Sequence, residues 1–209
     1  MSTITLEQQA AIAEKLAGMT LPSGLGNEEA ACSIAAINLA LSGRLTDDIP
    51  DCMSEVIGKW IIKVQDSMPA DMRNSERWKS LLPLAAGTGR DKEKERLQII
   101  LDWIWGTLLP TLQPHADARG FGAEWKRMTT ESTRAAAAEA TWAAADAAEA
   151  RAAYAAGAAA RAAAMEDAAW AAEAAAYAAY AAESAAEAAR ADAWQTFDPP
   201  ALLEKLIEA

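Results

Sequence analysis

Along most of this chain the apolar residues recur at steps of three and four, the spacing that places them on one face of a helix. Leu6, Ile12 and Leu16 form a first short stripe, and Cys32, Ile34, Ala35, Ile37, Leu39 and Leu41 a second that covers most of its helix circumference. Met53, Val56, Ile57, Trp60, Ile61, Val64 and Met68 make the clearest core helix, with Glu55, Lys59, Lys63 and Asp66 on the opposite side. Trp78, Leu81 and Leu82 follow, then Leu97, Ile100, Leu101, Ile104 and Leu108 with Trp103 and Trp105 beside them, and finally Leu202, Leu203, Leu206 and Ile207. No stretch alternates with period two for long enough to predict a strand. The pattern predicts an all-α, multi-helix bundle with an N-terminal helical core.

Punctuation residues set the expected helix ends. Thr5 and Gln8 have the spacing of a capping box, and Gly18 can end the helix they begin. Asn27, followed by Glu28 and Glu29, predicts the start of a helix running to Ser42, with Gly43 as its stop. Pro50 suits the first turn of the helix reaching about Ser67, which Pro69 ends. Asn74 or Ser75 caps the next helix, Pro83 bends or stops it, and Gly87 to Gly89 form a turn. Asp91 opens the helix after that.

The stretch from Thr130 to Thr196 is more than half alanine. Alanine loses no rotamer freedom in a helix, so a run this long predicts helix on propensity alone. From Glu166 the larger residues form a heptad-like stripe through Trp170, Glu173, Tyr177, Tyr180, Ser184, Glu187 and Trp194. A single helix of about 65 residues would be about 100 Å long, against about 40 to 50 Å for a compact chain of this length. Two closely packed long helices are therefore expected, with a break near 157–167 at Gly157 or the Met165, Glu166, Asp167 cluster; the alternative is a single protruding rod that leaves its methyl surface to a partner or to self-association. The resulting division is 1–113 as an N-terminal helical region, 114–130 as a connector, 131–196 as the alanine-rich helices and 197–209 as an amphipathic C-terminal helix.

The 209 residues carry a formal net charge of −11. That balance disfavours a sequence-independent hold on nucleic acid, which needs clustered Lys and Arg; direct nucleic-acid binding is not expected. The two cysteines make no disulfide framework, and the polar Met1 to Ala10 stretch is unlike a signal peptide, so a cytoplasmic location is expected. The alanine tract is broken by charges every few residues, and no membrane role is expected.

Candidate chemistry is sparse. Asp47, Asp48 and Asp51 spell D-D-x-x-D, similar to the aspartate-rich motif with which helical prenyl-transfer enzymes hold Mg²⁺, but Pro50 prevents one helix from running through the triplet. Capping by Asp48 or Asp51 accounts for these residues more simply. Cys52 lies near a helix start whose dipole favours a thiolate, although three acids oppose it, and His115 sits in a proline- and glycine-flanked loop. The Gly87, Thr88, Gly89, Arg90 turn could cradle an anion through its N–H groups, without the spacing of a P-loop. Asn38 is a lone amide on an otherwise apolar helix and needs partners. Asn38, Arg44, Asp47, Asp48, Asp51, Arg73 and Thr88 form the candidate ligand-binding set, and Trp142, Trp170, Tyr177, Tyr180 and Trp194 the candidate partner-binding set. No catalytic residue, metal site or cofactor is predicted.

The block from Gly26 to Gly89, beginning GNEEAACSIAAINLALSGRLTDDIPDC, resembles an uncharacterised family of bacteria and their phages in which such a block precedes an alanine-rich tail. The resemblance implies a phage or mobile-element setting and no established activity. Trp and Tyr repeated among alanines are similar to the tails of immunity proteins of the Imm-5-like kind. The expectation is a non-enzymatic helical interaction module of immunity or anti-defence type, engaging a protein partner or itself. The alternative is a nucleotide- or small-molecule-binding protein or enzyme with a polar pocket at the 44–51 loop.

Overall fold

The computed structural model describes residues 4–164, 183–187 and 193–209. The fold is all-α, and it divides into two compact units: the residues up to Arg96 with Pro200–Ala209, and Leu97–Pro199.

The first unit is built on α1 (Leu6–Ala17), α2 (Ser33–Ser42), α3 (Glu55–Ser67), the single turn α4 (Ala70–Arg73) and α5 (Glu76–Ala85). Thr5 and Gln8 form the expected reciprocal capping box on α1. Helix α1 lies against α2 and α5, and α2 also meets α3. Val56, Ile57, Trp60, Ile61 and Val64 of α3 are fully buried with Ile12, Ile34 and Ile37. The Trp60 and Trp78 rings sit 6.1 Å apart at a tilt. Trp78 Nε1 donates to Ser33 Oγ at 3.1 Å, so an indole enters the core without stranding its N–H.

Several helix starts differ from those the sequence suggests. Helix α2 begins at Ser33, capped by Cys32, and not at Asn27. Asn27 instead accepts the N–H groups of Glu29 and Ala30 in a tight turn closed by a bridge between Gly26 and Ala31. Gly26 is obligatory there, because its φ is +79° and a Cβ would lie 2.0 Å from the Ala30 carbonyl oxygen. Helix α3 begins after Ser54 rather than at Pro50, and Ser54, not Asp48 or Asp51, is its cap. Pro83 lies inside α5, which continues to Ala85.

Helix α6 (Glu93–Trp103) holds the boundary between the units, so the division falls at residues 96 and 97 rather than at 113. Within the first unit its opening turn serves two helix ends. The Glu93 carboxylate accepts from Ser54 Oγ (2.7 Å) and the N–H groups of Glu55 (2.8 Å) and Val56 (3.0 Å). Arg96 is 2% exposed and donates to the carbonyls of Leu206 (3.1 Å), Gly89 (2.9 Å) and Thr88 (3.0 Å). It thereby ties the last turn of the C-terminal helix α13 (Pro199–Glu208), whose Leu202, Leu203 and Leu206 are buried.

In the second unit α6 passes into a π-helical segment (Ile104–Leu108) and a 3₁₀ turn (Pro110–Leu112). Then come α7 (Gln113–Arg119), α8 (Gly122–Glu131), α9 (Arg134–Asp146) and α10 (Ala150–Ala164), helical residues 183–187 (α11), and α12 (Ala193–Phe197). The expected connector 114–130 is thus largely helix, and His115 lies on α7 rather than in a loop. Trp125 Nε1 donates to the Leu109 carbonyl and Trp103 Nε1 to that of Phe197, each at 2.8 Å.

The alanine tract folds back on itself, with α9 packed along α10. Ala136, Ala137, Ala140 and Ala144 are buried on one helix, and Ala152, Ala155, Ala156 and Ala159 on the other. Among the described residues a break falls at 147–149, and Gly157 lies within α10 close to Thr141; the Met165 to Asp167 cluster lies outside the described residues. The turn is a Schellman motif written without glycine: Glu149 N donates to Ala144 O, Ala148 N donates to Ala145 O, and Ala148 takes φ +59°. The Glu149 carboxylate then receives His115 Nε2 at 2.9 Å and Arg119 Nε at 3.1 Å.

Ala140→Leu, at a fully buried seam position, should overpack α9 against α10 and destabilise the protein by roughly 1 to 3 kcal/mol. Ala138→Leu, on the exposed side, should be nearly neutral because Leu is almost as good a helix former as Ala. Urea unfolding of the pair measures the difference, and equal midpoints would contradict the packed seam.

Candidate functional site

The loop 44–51 leaves α2 through Gly43 in the left-handed region and is held from below by Asn38. The Asn38 Nδ2 donates to the carbonyls of Thr46 and Asp48, both at 2.8 Å. Thr46 Oγ1 donates to Asp48 Oδ2 (2.7 Å) and accepts the Asp48 N–H (3.2 Å), which tightens the turn. Ile49 lies directly over Gly58 of α3, where a Cβ would come within 2.6 Å of its side chain. Helix α3 has a glycine on its buried face where the loop docks.

The loop and α3 border a groove of about 510 Å³ lined by Asp47, Asp48, Glu55, Lys59, Lys63 and Arg90. Its three acids and three bases balance in charge. Arg90 lies 3.7 Å from the half-exposed Glu55 and 3.8 Å from the fully exposed Asp51, loose pairs that contribute little stability. Lys59, Lys63 and Glu55 are the groove residues that the sequence reading missed; their signal was the i, i+4 spacing on the polar side of the α3 stripe.

The candidate ligand set divides accordingly. Asp47 and Asp48 line the groove and Asp51 stands near Arg90. Arg44 is exposed next to Gly43. Asn38, Arg73 and Thr88 are bound to the protein's own backbone. Arg73 donates to the carbonyls of Leu21 and Met68, each at 2.9 Å, and Thr88 Oγ1 accepts Ser54 N (3.0 Å) and donates to Ala85 O (2.7 Å). The turn expected to cradle an anion is committed too: the N–H groups of Gly87, Thr88 and Gly89 donate to Leu84, Ala85 and Cys52 carbonyls.

Residues 44–50 are not helical, so the three aspartates of D-D-x-x-D do not share a helix face. Among the described residues no cluster of three His, Cys, Asp or Glu side chains is placed to hold a metal ion. Cys52 is buried, and burial pushes its thiol pKa up, against the lowering expected from a helix start. Burial raises Cys32 as well, outweighing the N–H of Ala35 that its sulfur accepts.

The candidate partner set lies in the second unit. Trp142 on α9 is 72% exposed, and Tyr154 on α10, absent from that set, is 52% exposed. Trp194 is instead buried, its ring 5.8 Å from Phe197 in an edge-on contact, and belongs to the core. Trp170, Tyr177 and Tyr180 lie outside the described residues. No helix among the described residues is long and apolar enough to cross a membrane. Comparison with protein-family models, with curated proteins and with solved structures gave no match.

Asn38→Ala should cost about 1 to 3 kcal/mol in chemical denaturation, because the Thr46 and Asp48 carbonyls lose their donors. It should also speed amide exchange across residues 44–51; unchanged exchange there would remove Asn38 as the loop's anchor. With both thiols buried and their pKa raised, Cys32 and Cys52 should be alkylated at neutral pH only as fast as the protein opens. Rapid labelling of the native protein by iodoacetamide would contradict that placement.

Proposed function

We propose that the protein is a non-enzymatic helical interaction module that engages a protein partner, or a second copy of itself, through the α9–α10 hairpin. One observation carries the reading: Trp142 stands 72% exposed on a helix whose opposite alanines are fully buried. An indole offers a large apolar surface, and such residues are enriched among the anchors of protein interfaces. Tyr154 adds a second exposed ring on the facing helix of the same hairpin. The hairpin supports both at low entropic cost, since methyl-to-methyl packing orders almost no side-chain freedom.

The commitment of Asn38, Arg73 and Thr88 to backbone carbonyls and amides weighs against the alternative of a nucleotide or small-molecule pocket at the 44–51 loop. The net charge of −11 favours a basic or neutral protein surface over nucleic acid as partner. A phage or mobile-element setting, with an immunity or anti-defence role, and a cytoplasmic location complete the proposal; the setting and the role rest on the sequence resemblance.

Trp142→Ser combined with Tyr154→Ser should leave the melting temperature nearly unchanged and abolish crosslinked capture of the partner from host extract. Sedimentation of wild type and double variant separates self-association from a foreign partner. A wild type that remains monomeric and captures nothing beyond the double variant's background would overturn the reading.

A further inference from the structure

A second groove, of about 440 Å³, lies along the second unit where α6 gives way to the π-helical segment, and it is distinct from the exposed aromatic rings of the α9–α10 hairpin. Gln98, Asp102, Trp105, Gly106, Thr129 and Ser132 line it, and none of its lining residues is cationic. Gln98, Asp102 and Trp105 stand at i, i+4 and i+7, the spacing of one helix face. Gln98 Nε2 donates to Asp102 Oδ1 at 2.8 Å, which orients the carboxylate; Asp102 Oδ2 has no donor among the described residues.

The backbone contributes acceptors of its own. Pro110 has no N–H, so the carbonyls of Trp105 and Gly106, five and four residues before it, receive no proton from that position. Gly106 is exposed, and a Cβ placed on it would meet nothing within 4 Å, leaving its backbone open to approach. The neighbouring Thr107 carbonyl is already occupied by Thr111 Oγ1 at 2.8 Å. Both sides of the groove depart from regular helix, the α6 side through the π segment and the α8 side through Ser132, which ends its helix at φ +51°. Segments of this kind concentrate at binding sites.

A half-buried indole, an oriented carboxylate with one oxygen open and carbonyls lacking helical donors form a set rich in acceptors and poor in donors. We infer that this groove binds a guanidinium group, stacked on the Trp105 indole and forked onto the Asp102 carboxylate. The planar, weakly hydrated guanidinium matches that combination better than a compact, strongly hydrated ammonium, because it can stack and donate in its plane at once. Two sources share this chemistry: an arginine side chain of a polypeptide and a free small guanidine.

The test is titration of the ¹⁵N-labelled full chain with methylguanidinium, with the capped peptide acetyl-Gly-Arg-Gly-amide and with n-butylammonium at matched ionic strength. Saturable shifts are expected at the Trp105 indole N–H and the Gly106 amide for both guanidinium probes, with weaker or no response to butylammonium. Tighter binding of the peptide assigns the site to a polypeptide arginine; equal binding assigns it to the guanidinium group alone. Asp102→Asn, whose side chain is exposed and keeps the shape of the original, should weaken binding about tenfold by removing the charge-assisted pair. Trp105→Phe should weaken it less, since Phe retains a poorer cation–π face. The inference is overturned by no localised shift, by an equal response to butylammonium, or by binding that Asp102→Asn leaves unchanged, which is the mark of diffuse attraction to an acidic protein.

Discussion

Short helices carry a burden that long ones dilute: each end exposes N–H or carbonyl groups with no partner inside the helix. In the first unit no α-helix among the described residues exceeds the 13 residues of α3, so a large share of its backbone lies at an end. The opening turn of α6 meets this constraint twice within four residues. Glu93 accepts the first N–H groups of α3, where a carboxylate also suits the positive end of the dipole. Arg96 donates to the Leu206 carbonyl in the last turn of α13 and to the 88–89 turn. Burial lowers the Arg96 pKa, and the carboxylates of Glu93, Asp91 and Glu95 act against that shift.

The same constraint explains the fate of the polar residues that looked available for chemistry. Asn38, Arg73 and Thr88 all direct their side chains to main-chain groups at helix ends and connectors, and Gln65, which the sequence did not single out, does the same. Gln65 accepts the Ser33 N–H at the start of α2 and donates to the Pro22 carbonyl, serving a helix start and a connector with one side chain. In the second unit indole N–H groups take this task, with Trp103 and Trp125 each reaching a carbonyl next to a helix break. A buried indole therefore adds apolar area and closes a backbone vacancy in the same residue.

The apolar stripes were legible because periodicity is local: the α3 set from Val56 to Val64 is buried as its spacing indicated. The reciprocal cap on α1 was legible for the same reason, since both partners lie within one turn. What escaped the sequence depends on distant partners or on backbone choices with no composition signal. The start of α3 at Ser54 is secured by Glu93, 39 residues away in sequence. The 147–149 turn was hidden because its left-handed residue is Ala148 among alanines, while Gly157, the obvious breaker, serves as a small surface beside Thr141. The groove acids Asp47 and Asp48 were visible as a cluster, but the bases that balance them, Lys59 and Lys63, read only as the polar side of a core helix.

A left-handed alanine is unfavourable relative to glycine, by an amount on the order of 1 kcal/mol, so the hairpin turn needs support from outside the tract. Glu149 supplies it: its carboxylate, 17% exposed, is held by His115 and Arg119 of α7, and its own N–H closes the Schellman motif onto Ala144. The side chains holding the turn lie more than 25 residues earlier in the chain, on a helix that Gly120 ends in the left-handed region. The alanine hairpin is thus fixed by two different means: methyl packing along its length, where any local sequence of small residues would serve, and a polar clamp at its turn, where these particular residues are required. That combination holds α9 and α10 in one register, and with them the positions at which Trp142 and Tyr154 stand exposed.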